Sequence, residues 1–158
     1  MSVEHLEILV EEISMEAALR GFLPKVLGDI TFSVYPHQGK HELLQRLPQR
    51  LNGYVSWLPE NWRIVVILDR DDDDSNELQL RLDSMAQSAG LAPKRTLTTE
   101  QYRVVNRLAI EELEAWYFGD WKAVRAAYPR VKATIHLQAE YRAPDEIKGG
   151  TWEAFERV

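Results

Sequence analysis

The chain has 158 residues, of which 45% are hydrophobic, a length and composition that suit one domain with its own apolar core. It contains no cysteine, which excludes disulfide frameworks, thiolate metal sites and cysteine nucleophiles and indicates a reducing compartment. The net charge of −6 argues against a general nucleic-acid coat protein, but not against a nuclease that gathers carboxylates around a cation. The longest apolar stretch, residues 64–68, is too short to span a bilayer and the N-terminus does not resemble a signal peptide, so we predict a cytoplasmic protein without a membrane partner.

The N-terminal segment has the pattern of a strand followed by a helix. Residues 6–10 are apolar in four of five positions and predict a short buried strand that delivers Glu11 and Glu12 to its carboxyl end. Ser14 is the predicted N-cap of the next helix. Pro24 is predicted to kink this helix or to end it early.

Two further strand and helix units follow. Residues 30–35 alternate apolar and polar side chains, as a half-buried strand does, and the helix after them contains Pro48, which predicts a kink or a division into two pieces. Residues 63–68 are apolar without alternation after the first position and predict a central strand covered on both faces. Asp74 and Glu77 have the spacing of a capping box at the start of the third helix.

The C-terminal third is less regular. Residues 94–98 and 103–108 are predicted strands, and residues 111–118 are a predicted helix. Asp120 is the predicted cap of another helix. Beyond Pro129 the pattern weakens.

Three successive units of this kind predict an α/β fold, a three-layer Rossmann-like sandwich with a mostly parallel central sheet, because parallel neighbours need long crossover connections. In such sheets ligands bind beyond the carboxyl ends of the strands. Four acidic residues are predicted to lie there: Glu11, Glu12, Asp69 and Asp71. We therefore expect function to reside at this edge.

Carboxylates that converge from separate strands raise one another's pKa and oppose folding unless a cation lies between them. Mg²⁺ prefers a few carboxylate oxygens together with waters and phosphate oxygens. Glu11 and the Asp69/Asp71 pair would suit such an ion, since the spacing of the pair in an extended backbone points both side chains to the same side.

Plainer interpretations of the same acids remain open. Residues 72–74 are predicted to be a solvated loop whose charges favour the following helix N-terminus. Asp69 has the alternative of forming a turn through its own side chain. An EF-hand is excluded, because Asp74 stands where glycine is required and Leu80 where the bidentate glutamate should be.

Two of these segments resemble motifs of Toprim domains. The segment that ends in Glu11 resembles the strand-Glu motif, and the segment that ends in Asp69-Arg70-Asp71 resembles the strand-Asp-x-Asp motif, in the same order along the chain. Toprim relatives include primases, topoisomerases and nucleases of the overcoming-lysogenisation-defect type, which bind Mg²⁺ for phosphodiester chemistry. The resemblance thus implies a Toprim-like fold with Mg²⁺ or Mn²⁺ as cofactor.

The resemblance is closer to the bacterial Toprim-like family DUF4276. Its pattern is matched here in four segments over about residues 6–120: Glu11-Glu12, Gly39-Lys40, Asp69-Arg70-Asp71, and Arg107-Leu108-Ala109-Ile110-Glu111-Glu112-Leu113-Glu114-Ala115-Trp116. It implies a Toprim-like domain over residues 1–128 and a helical extension over residues 129–158, packed on the same domain. Because members usually continue further, the resemblance also implies that a C-terminal piece is missing.

The family pattern assigns roles to individual acids. Glu11 would be a metal ligand or general acid/base, and Asp69 and Asp71 would be catalytic metal ligands. Glu16 is a further ligand candidate, since nuclease members carry a second acid a few residues after the first. Toprim domains commonly have glycine where this chain has Glu12, whose side chain would either crowd the substrate or add a ligand.

Other charged residues are candidates for binding. Lys40 and Arg107 would contact phosphate or stabilise developing charge, although surface positions are the ordinary alternative for both. Resemblance places Glu112 and Glu114 near the site. Glu111 stands at the start of the same predicted helix, and its ordinary interpretation is a favourable interaction with the helix dipole.

The predicted function is metal-dependent phosphodiester hydrolysis of nucleic acid, DNA rather than RNA, in a defence-type system with an ATPase. The alternative is a non-catalytic partner subunit that binds such an ATPase. A receiver-like phospho-acceptor fits less well, because a receiver needs a lysine after its fifth strand and no lysine occurs between Lys94 and Lys122.

Overall fold

The structure is a computed structural model that describes residues 2–96, 101–109, 113–143, 147 and 151–158. It contains two compact units, Met1–Leu68 with Asp73–Leu108, and Asp69–Asp72 with Ala109–Val158. The predicted division after residue 128 stays a prediction. Among the helices in these ranges, none combines the length and apolar character that crossing a membrane requires.

A four-stranded parallel sheet organises the fold, which confirms the predicted α/β class. The strands are β1 (His5–Val10), β2 (Thr31–Pro36), β3 (Trp62–Asp69) and β4 (Val104–Ala109), in the order β2-β1-β3-β4. The last residue of β1, Val10, is in register with Pro36 of β2 and Ile67 of β3. β1 and β3 are therefore neighbours, and their carboxyl ends point the same way.

Helices cover both faces of the sheet. They are α1 (Ile13–Phe22), α2 (Lys40–Val55) and α3 (Ser75–Ser88). On one face the buried leucines of α2 and α3 form a continuous core with Leu9 of β1 and Val66 of β3. Because side chains alternate along a strand, Ile8 and Ile67 point to the opposite face, and α1 contacts β1 and β2. The three-layer arrangement is confirmed.

The N-terminal helix boundaries differ in part from the sequence prediction. Ser14 is not the N-cap of α1, because Glu12 is the last residue with extended dihedral angles and Ile13 already begins the helix. Pro24 lies in a short 3-10 turn that follows the end of α1, as predicted. α2 continues unbroken through Pro48, which is exposed, so its ring displaces no core side chain.

The third strand and helix, β3 and α3, agree closely with the sequence prediction. Both faces of β3 are largely buried, as the absence of alternation predicted. The Asp74 side chain caps α3, since its Oδ1 accepts hydrogen bonds from the backbone N–H groups of Asn76 and Glu77, both at 2.9 Å. The strand predicted at 94–98 is wrong for residues 94–96, which form a 3-10 turn, and Pro93 makes only an isolated bridge to β4. Residues 97 and 98 lie outside the described ranges.

The second unit is helical in the part that is described. It contains α4 (Glu114–Phe118), α5 (Trp121–Ala127) and α6 (Thr151–Glu156). Aromatic rings pack between them, with Phe118 edge-on to Trp121 at 5.1 Å. Asp120 caps α5, as predicted, by accepting a hydrogen bond from the Ala123 N–H at 3.0 Å. The start of the predicted helix at residues 111 and 112 is outside the described ranges.

Candidate functional site

The end of β1 presents a mostly buried carboxylate, that of Glu11, which is 9% exposed. The backbone around it is held by the loop before α2. The Gly39 N–H donates to the carbonyl of Glu11 at 3.0 Å, and the His37 N–H donates to the carbonyl of Val10 at 3.1 Å. His37 lies in the loop between β2 and α2. This part of the edge is therefore built from hydrogen-bonded backbone rather than from free loops.

The segment after β3 makes a sharp turn. Asp69 is the half-buried last residue of β3, its Oδ1 atom is buried, and the Arg70 N–H donates to the carbonyl of Ala109 at 2.9 Å. Asp71 is exposed and has a φ of 49°. The assumption of an extended backbone from Asp69 to Asp71 is thus wrong, because the chain enters the left-handed region at Asp71. Strand alternation does not fix where the Asp71 side chain points.

Two other acids predicted as metal ligands lie on or before α1. Glu12 is exposed and precedes the first helical residue. Glu16 lies in the first turn and forms an ion pair with Arg20 one turn later, at 2.7 Å. A metal at Glu16 would have to compete with this cation.

The predicted phosphate ligand Lys40 is the first residue of α2. Its Nζ lies 2.7 Å from Oδ2 of Asp73, an exposed residue of the loop before α3. The hydrogen bond from Lys40 and the charge of Lys40 hold the pKa of the Asp73 carboxyl below its ordinary value. Asp73 was predicted as a solvated loop acid, so the structure adds a specific cationic partner.

The remaining predicted binding residues are more dispersed along the chain. Arg107 is exposed on β4, and its Nη1 donates to the carbonyl of Asn106 at 3.0 Å. Glu114 is the first residue of α4 and is partly buried. Burial raises the pKa of Tyr117, and the charge of Glu114 adds to this effect. Glu112 lies outside the described ranges.

Within the residues that the structure describes, no group of three or more histidine, cysteine or acidic side chains is arranged to hold a metal ion. Glu111 and Glu112 are not among these residues. The metal set of Glu11, Asp69 and Asp71 accordingly stays a prediction.

Comparison with known proteins identifies the family. The sequence profile of a family described as Domain of unknown function (DUF4276) matches residues 10–158. The chain belongs to the DUF4276 family. The match runs through the second unit, so the similarity extends beyond residue 120, where the motifs had suggested that it fades. No curated protein and no solved structure matches this DUF4276 chain.

Sequence reasoning missed a buried carboxylate in the middle of β1. Glu7 is 3% exposed. Its Oε2 accepts a hydrogen bond from the Tyr54 hydroxyl at 2.8 Å, and its Oε1 accepts one from the Tyr35 hydroxyl at 3.3 Å and lies 3.1 Å from Nε2 of His5. The available signal was one acid inside an otherwise apolar strand.

A second buried polar pair links α3 to β4. Asp83 is 5% exposed and Asn106 is 3% exposed. Oδ1 of Asp83 accepts from Nδ2 of Asn106 at 2.8 Å and from Nε2 of Gln79 at 3.1 Å. Such hydrogen bonds offset the cost of burying a carboxylate, and the one from Asn106 joins α3 to β4.

Proposed function

We propose that this DUF4276 protein hydrolyses phosphodiester bonds in nucleic acid, DNA in preference to RNA, with Mg²⁺ or Mn²⁺ as its cofactor. The observation that supports the proposal is the register of β1 and β3. Val10 and Ile67 are partners across the two parallel strands, and Glu11 and Asp69 are one and two residues further along. The carboxyl ends of neighbouring parallel strands are the usual place for a ligand in an open α/β sheet.

The donor chemistry at these strand ends suits a hard divalent cation. The Glu11 side chain is about nine-tenths buried and Oδ1 of Asp69 is buried, and both are the oxygen donors that Mg²⁺ and Mn²⁺ prefer. Glu11, Asp69 and Asp71 would hold the ion, with Glu12 as an additional ligand. Glu16 is the weakest candidate because of its ion pair with Arg20. When bound, the cation would polarise the phosphoryl group and favour deprotonation of a water molecule.

Side chains of the protein would share the remaining work. The alternative role of Glu11, in place of binding the ion, is to accept the proton of the attacking water or to donate one to the leaving oxygen. Lys40 would exchange its contact with Asp73 for a phosphate oxygen, and Arg107 is exposed enough to contact a second phosphate. Glu112 and Glu114 are further proposed binding residues.

The backbone at Asp71 supports a functional role for this turn. Left-handed backbone in a residue other than glycine costs on the order of 1 kcal/mol or more, and such conformations cluster at active sites. Asparagine and aspartate tolerate it best. Asp71, which follows Asp69 by two residues, has a φ of 49°. Glycine would adopt this angle with less strain, so an aspartate at this position is consistent with a functional role for its carboxylate.

A cleavage assay tests the proposal. Purified chain is incubated with supercoiled plasmid and with single-stranded DNA at millimolar Mn²⁺. Asp69→Asn is compared with Asp72→Asn, which changes an exposed loop acid in the same way. We expect Asp69→Asn to lower the cleavage rate at least about 100-fold. Mutation of a residue that only hydrogen-bonds to a metal ligand already lowers metal affinity or activity by about 10–100-fold, and loss of a ligand should cost at least as much. Asp72→Asn should cleave like the wild type.

Equal activity in the wild type and Asp69→Asn would refute the assignment, provided that both proteins melt at the same temperature. Loss of activity in both variants would point to the charge of the loop rather than to a ligand at Asp69.

A second candidate function is a non-catalytic subunit that binds an ATPase of a defence-type system. What favours it are two exposed apolar side chains at the end of α1 and just after it, Phe22, which is 53% exposed, and Val26, which is 55% exposed. Exposed apolar groups in a contiguous segment are typical of interaction sites. This function predicts that Phe22→Glu weakens ATPase binding without changing Mn²⁺ affinity, and that the chain alone cleaves no DNA.

A further inference from the structure

A pocket lies beside the middle of β1 rather than at its carboxyl end. It has a volume of about 280 Å³ and six lining residues, Glu7, Tyr35, Arg50, Gly53, Tyr54 and Trp57. All of them belong to the first compact unit. None of the acids proposed to bind metal is among the lining residues of this pocket.

The buried carboxylate of Glu7 belongs to the lining of the pocket. Three groups contact it: the hydroxyls of Tyr54 and Tyr35 and the ring of His5. A carboxylate has about four lone-pair positions, so capacity for one further donor remains. A ligand that donates a hydrogen bond can therefore be recognised here.

Aromatic rings and a guanidinium form the walls. The guanidinium carbon of Arg50 lies 4.2 Å from the ring centroid of Tyr35 and 5.8 Å from that of Tyr54, and its Nε donates to the Tyr54 hydroxyl at 3.3 Å. The ring of Trp57 lies 5.3 Å from that of Tyr54 and is tilted by 48°. Trp57 is 54% exposed, which leaves indole surface available for stacking.

The charges in the pocket restrict the kind of ligand. A cation would meet Arg50, which already occupies the cation–π position over Tyr35. An anion would meet the carboxylate of Glu7. The two charges favour a neutral ligand that donates to the carboxylate and accepts from the guanidinium, and the rings favour a planar one.

We propose that the pocket of Glu7, Arg50 and the three aromatic residues binds an unpaired nucleobase. Single-stranded bases are commonly stacked on aromatic side chains and hydrogen-bonded along their edges. Guanine offers O6 and N7 as acceptors for Arg50 and N2–H₂ as a donor for Glu7, so it is the best match. The inference goes beyond the proposed hydrolysis, because it requires neither the metal nor cleavage.

Binding is tested by titrating ¹⁵N-labelled protein with guanosine, adenosine, cytidine and uridine in metal-free buffer and recording amide and indole shifts by NMR. A Cβ added at Gly53 meets no atom within 4 Å, so Gly53→Leu introduces a side chain at the pocket without a backbone clash. Gly21→Leu is the matched control, since Gly21 is also a helical glycine with open space and lies outside the pocket.

We expect saturable shifts of the Gly53 amide and the Trp57 indole N–H in the wild type, with guanosine the tightest ligand. Gly53→Leu should weaken guanosine binding at least tenfold, and Gly21→Leu should match the wild type. The inference is overturned if no nucleoside gives saturable shifts, if Gly53→Leu binds like the wild type, or if tetramethylammonium shifts these signals and nucleosides do not. The binding test uses metal-free buffer, so its outcome does not depend on whether the chain cleaves DNA. Failure of the cleavage assay would therefore not count against nucleobase binding.

Discussion

The hydrogen bond between Tyr54 and Glu7 should contribute strongly to stability. Both residues are 3% exposed, and the hydroxyl donates to the carboxylate at 2.8 Å. A hydrogen bond to a charged group contributes about 1.5–3 kcal/mol, and removing one partner leaves the other buried without it. We therefore expect Tyr54→Phe to lower the free energy of unfolding by roughly 2 kcal/mol.

Tyr35→Phe is the matched comparison, because it removes a hydroxyl from the same carboxylate. That contact is longer, at 3.3 Å, and Tyr35 is only partly buried. The expected loss is below about 1 kcal/mol. Urea denaturation measures both losses. The slope of the unfolding free energy against urea concentration should be the same in the wild type and both variants, because an equal slope shows that the substitutions change stability and not the surface exposed on unfolding.

The pH dependence gives a second measurement. Burial raises the pKa of the Tyr54 hydroxyl, against a smaller opposing effect of the hydrogen bond from Arg50. The folded state then keeps this proton above about pH 10, where the unfolded state loses it. Stability contributed by Tyr54 is fully present below that pH and falls as pH rises, so Tyr54→Phe should lose stability less steeply on the alkaline side.

Two results would refute this reasoning. One is a loss in Tyr54→Phe no larger than that in Tyr35→Phe. The other is an unchanged loss for Tyr54→Phe when Glu7 is already glutamine, since a neutral amide accepts a weaker hydrogen bond than a carboxylate.

Three further predictions address other parts of the chain. Asp71→Gly should raise stability by about 0.5–1 kcal/mol, because glycine adopts φ 49° without strain, and a lower melting temperature would contradict this. Lys40→Met should raise the pKa of the Asp73 carboxyl towards its ordinary value, measured by ¹³C NMR titration, and an unchanged titration would show that Lys40 is not the cause. Leu82→Ala should cost about 2–5 kcal/mol in chemical denaturation because Leu82 is 0% exposed, whereas Leu80→Ala, at a 55% exposed position, should stay within about 0.5 kcal/mol.

The fold was predictable where one physical signal dominates. Residues 64–68 are apolar on both faces and form a central strand, and the side chain of Asp74 caps α3 because its oxygen reaches two N–H groups that the helix leaves unpaired. The helix start at Ile13 was missed, because no side chain caps it and the N-cap preference of Ser14 pointed elsewhere. Pro48 did not divide α2, since the penalty for proline is outweighed by the buried leucine face of that helix.

In the candidate site, the sequence could predict only the residues that lie at the ends of strands. Glu11 and Asp69 follow directly from the ends of β1 and β3, and the parallel register brings those ends to the same edge of the sheet. Asp71 does not follow, because its direction depends on a left-handed turn that no sequence pattern required. Likewise, the spacing of residues along the chain carries no information about the ion pair between Lys40 and Asp73, 33 positions apart.

Glu7 shows what periodicity leaves out. Four apolar neighbours made residues 6–10 a buried strand, and that interpretation was correct, yet it treated the one acid as an exception. A carboxylate in such a strand must either be exposed or be hydrogen-bonded, because burying an unpaired charge costs several kcal/mol. Glu7 is 3% exposed, so the second possibility applies here. Tyr35 and Tyr54 supply the hydrogen bonds. An acid in such a strand is thus a signal for a buried polar network that the sequence analysis did not use, and the partners follow only from the fold.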